Sequence, residues 1–154
     1  MDTLGHFNTV GTPFDFDLEA STVVLPNSID LGVTGRDPGM GQPVYLNIVI
    51  TETATDGADS ATLSFSVNSD SVEDVAESGS TIHMITPLLL KAKLVAGNKF
   101  SYVLPPAGTS HTYERYLGVM AIVATAGFDA GQCEVWLGLD PVSTKIGGYA
   151  DGAN

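Results

Sequence analysis

The residues of this chain that could do chemistry are clustered carboxylates, three histidines and one cysteine. Carboxylates cluster at 15–19, 56–59 and 70–74, and such hard oxygen ligands can bind calcium. None of these clusters has the twelve-residue spacing of a calcium loop, so we interpret them as solvated loop residues. His6, His83 and His111 lie far apart with no second His or Cys three to five residues away, which argues against zinc. We therefore expect no metal site and no cofactor.

Nucleophilic catalysis finds little support in the sequence. Cys133 lies in an apolar run where a strand would point it inward, which predicts an inert core thiol. No Gly-x-Ser-x-Gly motif occurs. The glycines at 35, 39 and 41 imitate a phosphate-binding loop, but Gln42, Pro43 and a predicted strand follow where that loop needs a lysine and a helix. The sequence predicts a binding or structural module, not an enzyme.

Charge narrows the choice of partners further. The chain has 6 Lys and Arg against 18 Asp and Glu, a net charge of -12, which repels nucleic acid and anionic membranes alike. We expect neither as a partner. Residues 52–77 carry seven acidic residues and no cation, whereas Lys91, Lys93 and Lys99 are bunched. This pattern predicts one sharply acidic end, separate from the lysines.

The elements that must position these residues are mostly strands. The clearest period-two alternation sets Leu63, Phe65 and Val67 against Thr62, Ser64 and Ser66. Helix has little room, and Gly, Pro, Asp and Ser clusters separate the strands as an antiparallel sandwich requires. The sequence predicts a single all-β domain, an antiparallel β-sandwich over 21–140. The predicted strands are 21–31, 43–52, 61–69, 80–86, 99–104, 114–125 and 132–140.

Two features of this arrangement stay open. Residues 87–94 could form a short helix or an extended edge segment whose lysines discourage edge pairing. Trp136 is predicted on the outer face of its strand, where it is either covered by a loop or waits for a partner.

The two termini are predicted to lie outside the sandwich. Residues 1–20 form an apolar but aperiodic N-terminal arm, which could pack on another subunit or fold over the home core, and 141–154 form a Gly-rich C-terminal tail. Phe7, Phe14, Phe16 and Trp136 are our candidate oligomer contacts, because together they make more apolar surface than a small sandwich readily covers. Deleting residues 2–18 would then weaken assembly more than the fold.

Several pieces of the chain, in order, resemble the small capsid cement (decoration) proteins of tailed bacteriophages. The first pieces are the run from Ser21 to Gly32, then Gly35-Arg36-Asp37, then the run from Gly39 to Leu46. Later pieces are Ser60 to Val67, Leu94 to Gly97 before the Pro105-Pro106 turn, Glu114 to Leu117, and Phe128 to Gly131 before the last strand. The similarity spans about residues 21–140.

The resemblance implies a jelly-roll-like β-sandwich that forms a homodimer or homotrimer on the outer surface of the phage capsid. Such a protein is made in the host cytoplasm, binds the major capsid protein and clamps neighbouring capsomers of the virion. It has no catalysis and no cofactor. For contact with an acidic capsid surface we expect the cations Arg36, Lys91, Lys93 and Lys99, whereas Arg115 is expected to pair internally.

A second hypothesis is a carbohydrate-binding β-sandwich module. Trp136, Tyr113 and Tyr116 could supply stacking faces for sugar rings, and the loop carboxylates a calcium site. A hydrolase is a third and weaker hypothesis, because the triad motifs are missing. A major capsid gene beside the gene for this chain would favour the cement-protein hypothesis. Neighbouring tail-fibre or glycan genes would favour the carbohydrate-binding module.

Overall fold

Eleven strands and one 3₁₀ turn make up the secondary structure of the described residues. A computed structural model describes residues 3–9, 11–38, 41–57, 59–107 and 112–142, and the side chains of these from Gly5 onward. The expectations for His111 and for the tail beyond residue 142 lie outside the described residues. The strands are Thr3–His6 (β1), Phe14–Asp15 (β2), Thr22–Val24 (β3), Ile29–Asp30 (β4), Tyr45–Thr55 (β5), Thr62–Asp70 (β6), Thr81–Ile85 (β7), Leu89–Leu90 (β8), Lys99–Val103 (β9), Tyr116–Ala124 (β10) and Ala130–Gly138 (β11), and the 3₁₀ turn is Lys91–Lys93.

The strands form two antiparallel sheets with the pairing of a jelly roll. The first sheet has the order β1-β11-β5-β9, with β2 also beside β11. The second has the order β3-β10-β6-β7, with β4 beside β10 and β8 beside β6. Eight strands remain when the two-residue strands β2, β4 and β8 are left out. In chain order, the first of these pairs with the eighth (β1 with β11) and the second with the seventh (β3 with β10). The third pairs with the sixth (β5 with β9) and the fourth with the fifth (β6 with β7). The predicted all-β, jelly-roll-like sandwich is confirmed.

The core lies between the two sheets and contains the apolar positions of the alternation read from the sequence. Leu63, Phe65 and Val67 of β6 are buried in it, as are Cys133 and Val135 of β11. The expectation that the other face of β6 is exposed to solvent is wrong, because Thr62, Ser64 and Ser66 are buried as well. Each of the seven predicted strand segments contains strand, although 21–31 is divided into β3 and β4. Residues 87–94 form no α-helix, because β8 pairs with the start of β6 and the 3₁₀ turn follows at once.

The expectation that residues 1–20 lie outside the sandwich is wrong for the described part of that segment. β1 and β2 both pair with β11 and so extend the first sheet. Phe16 follows β2, and its fully buried ring meets Phe128 edge to face at a centroid distance of 5.4 Å. The arm therefore packs into its own core, which was the alternative interpretation of the segment.

The acidic residues of 52–77 are divided between the two ends of the sandwich, so the prediction of one acidic end is wrong. Between the two acidic groups runs β6, whose nine residues span about 30 Å at about 3.4 Å per residue. The β5–β6 turn, with Asp56 and Asp59, lies at the end that also holds Lys91–Lys99, which we call the lysine end. The loop of residues 71–80 lies at the opposite end.

Candidate interaction surface

The four aromatic side chains predicted to contact another subunit form no exposed patch. Phe7 and Phe16 are 0% exposed and Trp136 is 5% exposed, while Phe14 is half-buried against the core. These side chains are covered because the short strands β1 and β2 bring them onto the chain's own sheet. Their selection as oligomer contacts is corrected accordingly.

Trp136 lies on the outer face of the first sheet, as the alternation of β11 predicted, but its own chain covers it. His6 is its cross-strand partner on β1, and the two ring centroids lie 5.7 Å apart. On the other side, Trp136 pairs with the buried Asn47 of β5. The Asn47 side chain donates to the carbonyl of Asp140 at 3.1 Å and accepts from the Val142 amide at 3.1 Å. Residues 140–142 therefore fold over the outer face beside Trp136.

Lys91 is held by its own chain and is not available as proposed for a partner. Its ammonium lies 2.9 Å from Oδ1 of Asp56, whose carboxylate is buried, and it also contacts Asp59. The hydrogen bonds to Asp59 and then Asp56 raise the pKa of Lys91. Hydrogen bonds from the Ala61 amide first, and then from Lys91, lower the pKa of Asp56. This arrangement fixes the β5–β6 turn to the 3₁₀ turn. The prediction that Lys91 contacts the capsid is therefore corrected, and we assign Lys91 a structural role.

The other three candidate cations are exposed, but they do not share one surface. Lys93 ends the 3₁₀ turn and Lys99 begins β9, and the Asn98 side chain beside Lys99 donates to the Lys93 carbonyl at 2.8 Å. We call these two lysines, together with the exposed Val95 of the loop between them, the lysine patch. This loop is fixed to β5, since the Ala54 amide donates to the Leu94 carbonyl at 2.8 Å. Arg36 lies at the opposite end, where its guanidinium donates to the carbonyl of Leu31.

Arg115 pairs internally, as predicted. Its Nε and Nη2 donate to the two carboxylate oxygens of Asp30 at 3.0 and 2.8 Å, a bidentate pair across β4 and β10. This pair, followed by the Gly32 amide, lowers the pKa of Asp30 from 3.8 to about 2. The guanidinium carbon also lies 5.0 Å from the ring centroid of Tyr116. Arg115 therefore stabilises the fold.

An exposed apolar edge is the surface that the sequence analysis missed. Its side chains are exposed by half or more, although all four are large and hydrophobic: Ile82 51%, Ile85 56%, Leu88 64% and Leu90 58%. They lie on or beside β7 and β8, which both pair with β6 at the margin of the second sheet. We call these four residues the apolar edge. Their irregular spacing matches neither period two nor a helical period, which is why the pattern gave no signal.

A buried serine meets a half-buried histidine behind this edge. Ser69 Oγ lies 2.7 Å from His83 Nε2 and accepts from the Glu114 amide at 3.0 Å, and the His83 ring stacks on Tyr113 at 3.9 Å. Ser69 is fully buried in the middle of a sheet, not presented on a sharp elbow. The group ties β6, β7 and the start of β10 together, and His83 is a strand residue as predicted.

The residues named for sugar stacking are mostly inaccessible. Tyr113 is fully buried, Trp136 is covered by His6, and Tyr116 lies beside the Arg115 guanidinium. No group of three or more His, Cys, Asp or Glu side chains is arranged for a metal among the described residues. A cleft of about 520 Å³ opens elsewhere, lined among others by His6, Pro26 and Glu73.

Comparison with known proteins assigns a family to the chain. The model of the Bbp16 family matches residues 19–137 of the 154. The chain belongs to the Bbp16 family. No curated protein matches this Bbp16-family chain. Among its described residues no helix is long and apolar enough to cross a membrane.

The part of this Bbp16-family chain that matches contains both exposed surfaces. The apolar edge and the lysine patch lie inside residues 19–137, whereas β1 and β2 precede the match. The matched segment also coincides closely with residues 21–140, over which the sequence predicted the β-sandwich.

Proposed function

We propose that this chain is a capsid cement protein of a tailed bacteriophage. In this proposal it is a non-enzymatic component of the virion that binds the outer surface of the major capsid shell and bridges neighbouring capsomers. Support comes from the cement-protein resemblance over 21–140, from the jelly roll, whose strands β3 to β11 lie in that span, and from the family match over nearly the same residues.

The lysine patch is the observation that carries the proposal. A chain with a net charge of -12 presents two exposed lysines at the two ends of a loop that holds an exposed valine and is hydrogen-bonded to β5. An exposed ion pair contributes about 0.2–1 kcal/mol to the free energy of binding, so a single copy would bind the capsid surface weakly. A capsid repeats the same contact at many sites, and linked contacts multiply in avidity.

Stabilisation of the shell would follow from mass action. A protein that binds the assembled, expanded shell but not its separated subunits stabilises the assembly by RT ln(1 + [L]/Kd) at each site. Bridging contacts between capsomers would then resist the pressure of packaged DNA. This mechanism requires positioning and complementary charge, and no chemical step.

The direct test is binding of the purified chain to empty, expanded heads assembled from the major capsid protein of the same phage. We expect the wild type to co-sediment with the heads at low salt and to be released as salt rises, because the Debye length is about 8 Å at physiological ionic strength. Lys93→Glu/Lys99→Glu should lower occupancy without changing the unfolding midpoint. Lys99→Glu and Arg36→Glu form a matched pair, since each changes the net charge equally at opposite ends of the sandwich. Arg36→Glu should bind as the wild type does.

Two outcomes would count against the proposal in different ways. If the wild type fails to bind the heads at any salt concentration, the cement function is wrong. If Lys93→Glu/Lys99→Glu binds as tightly as the wild type, the lysine patch is not the contact surface.

A further inference from the structure

We propose that residues 143–146 lie extended across the outer face of the first sheet, where their backbone hydrogen-bonds to Trp136 and His6. We call these four residues the strap. The inference concerns contacts within one chain, so it goes beyond the proposed cement function and is tested without capsids.

The first argument is a buried row of side chains on a sheet face that normally meets solvent. Four neighbouring strands contribute one residue each to this row: His6, Trp136, Asn47 and Ser101. Asn47 is 0% exposed, Trp136 5% and Ser101 6%, although the core lies on the other side of the sheet. The row is therefore a covered surface, and the described chain passes over it at residues 140–142.

The second argument is that two polar atoms of this row have no partner. Nε1 of Trp136 and Nδ1 of His6 are buried, and no described group hydrogen-bonds to either atom. Buried polar atoms are nearly always paired in proteins. The indole N–H can only donate, whereas Nδ1 of a neutral histidine accepts when the proton is on Nε2. An extended backbone supplies one carbonyl and one amide per residue, which is the complement of this donor and acceptor.

The third argument is the place where the described chain ends. The Val142 amide donates to the side chain of Asn47, so the chain lies over the row at its last described residue. Neighbouring strands are about 4.8 Å apart, which puts Trp136 about 5 Å and His6 about 10 Å from Asn47 along the row. Four extended residues span about 13 Å. The strap is therefore long enough to pass Trp136 and to reach His6.

The fourth argument is charge. Lys145 is the single cation among residues 143–154. Glu134 precedes Trp136 by two residues on β11 and so lies on the same face of the sheet. It is half-buried and forms no ion pair within the described part of the chain. A strap over Trp136 brings the Lys145 ammonium within reach of this carboxylate, which favours residues 143–146 as the occupant of the face.

The direct test is nuclear magnetic resonance of the full-length protein, because its single tryptophan gives a single indole N–H signal. We expect nuclear Overhauser effects between this proton and the backbone of residues 143–146, and slow exchange of the proton with water. The chain ending at residue 142 should exchange it about tenfold faster or more, whereas the chain ending at residue 146 should behave as the full-length protein does. Urea unfolding of both shortened chains checks that they are folded.

A charge exchange tests the strap in chains of full length. Lys145→Glu and Glu134→Lys should each speed the exchange of the indole proton by about two- to fivefold, the range expected for one exposed ion pair. The double variant should regain slow exchange, because the two signs are exchanged. Lys93→Glu is the matched control, since it makes the same change of charge at the lysine end and should leave the exchange rate unchanged.

Three results would overturn the inference. The first is an indole proton that exchanges at the same rate in the full-length chain and in the folded chain ending at residue 142. The second is a full-length protein whose indole proton shows no contact with residues 143–146. The third is an indole proton in contact with Met1 or Asp2, which would assign the cover of Trp136 to the N-terminal residues. None of these results bears on binding to empty heads, so the cement function is tested separately.

Discussion

Removing the ring of Phe16 tests whether the N-terminal segment belongs to the core. The ring is fully buried and meets Phe128 edge to face. It also lies so close to Gly131 that a Cβ on that residue would overlap it, and Gly131 has a φ of 148°. In Phe16→Ala nothing nearby can fill the space, because the surrounding β2–β11 ladder fixes the backbone. We therefore expect a cavity and not a collapsed site.

The size of the effect follows from burial and the cavity together. Burying a phenylalanine side chain contributes about 1.5–3 kcal/mol, and the unfilled cavity raises the loss for Phe→Ala to about 3–5 kcal/mol. Domains of this size have a total stability of about 5–15 kcal/mol. A loss of 1 kcal/mol lowers Tm by about 2–4 °C at this chain length, so Phe16→Ala should melt about 6–20 °C below the wild type. Deleting residues 2–18 should then destabilise the fold at least as strongly as it affects assembly.

The assay is urea and thermal unfolding followed by the fluorescence of Trp136, the single and buried tryptophan. Val33→Ala is the control, because Val33 is 62% exposed and its truncation should change stability by less than about 0.5 kcal/mol. If Phe16→Ala unfolds at the wild-type midpoint while its oligomer dissociates, the segment packs on another subunit and the assignment to the home core is refuted.

Three further perturbations have definite expected outcomes. Asp30→Asn should unfold at a lower urea concentration than the wild type at neutral pH. Because the pKa of Asp30 is lowered from 3.8 to about 2 in the folded protein, the difference between the two urea midpoints should vanish as pH falls from about 4 toward 2. A difference in midpoint that does not depend on pH would contradict the ion pair. Lys91→Glu should lower the urea midpoint because the buried Asp56 carboxylate loses its cation, whereas Lys93→Glu should leave the midpoint unchanged. Equal urea midpoints for the two variants would argue against a structural role of Lys91. Cys133 should react with a thiol reagent no faster than the protein unfolds, because the thiol is fully buried and burial raises its pKa. Rapid labelling of the native protein would show that the Cys133 thiol does not lie in the core.

The strands were predictable from the sequence wherever they are long enough to show a period. β6 and β11 each have nine residues, and their alternation placed Leu63, Phe65 and Cys133 in the core and Trp136 on the outer face. β1 and β2 have four and two residues, too few for any period to be recognised. Phe16 was assigned to a free arm for that reason.

The charged surface was less predictable, because it depends on which distant segments meet. Lys91 and Asp56 are 35 residues apart and become partners when β8 pairs with the start of β6. The division of the acidic residues, in contrast, was within reach of sequence reasoning. A strand predicted at 61–69 has to separate the carboxylates before it from those after it by its own length. The internal pairing of Arg115 was predicted, but its partner was not, because Asp30 lies 85 residues away and meets Arg115 only through the pairing of β4 with β10.

A cryo-electron reconstruction of native heads tests the cement function most directly, with heads that lack this protein as the comparison. We expect additional jelly-roll density on the outside of the shell at the boundary between capsomers. The lysine patch should face the major capsid protein. The same density found inside the shell or on the tail, or heads identical with and without the protein, would contradict it.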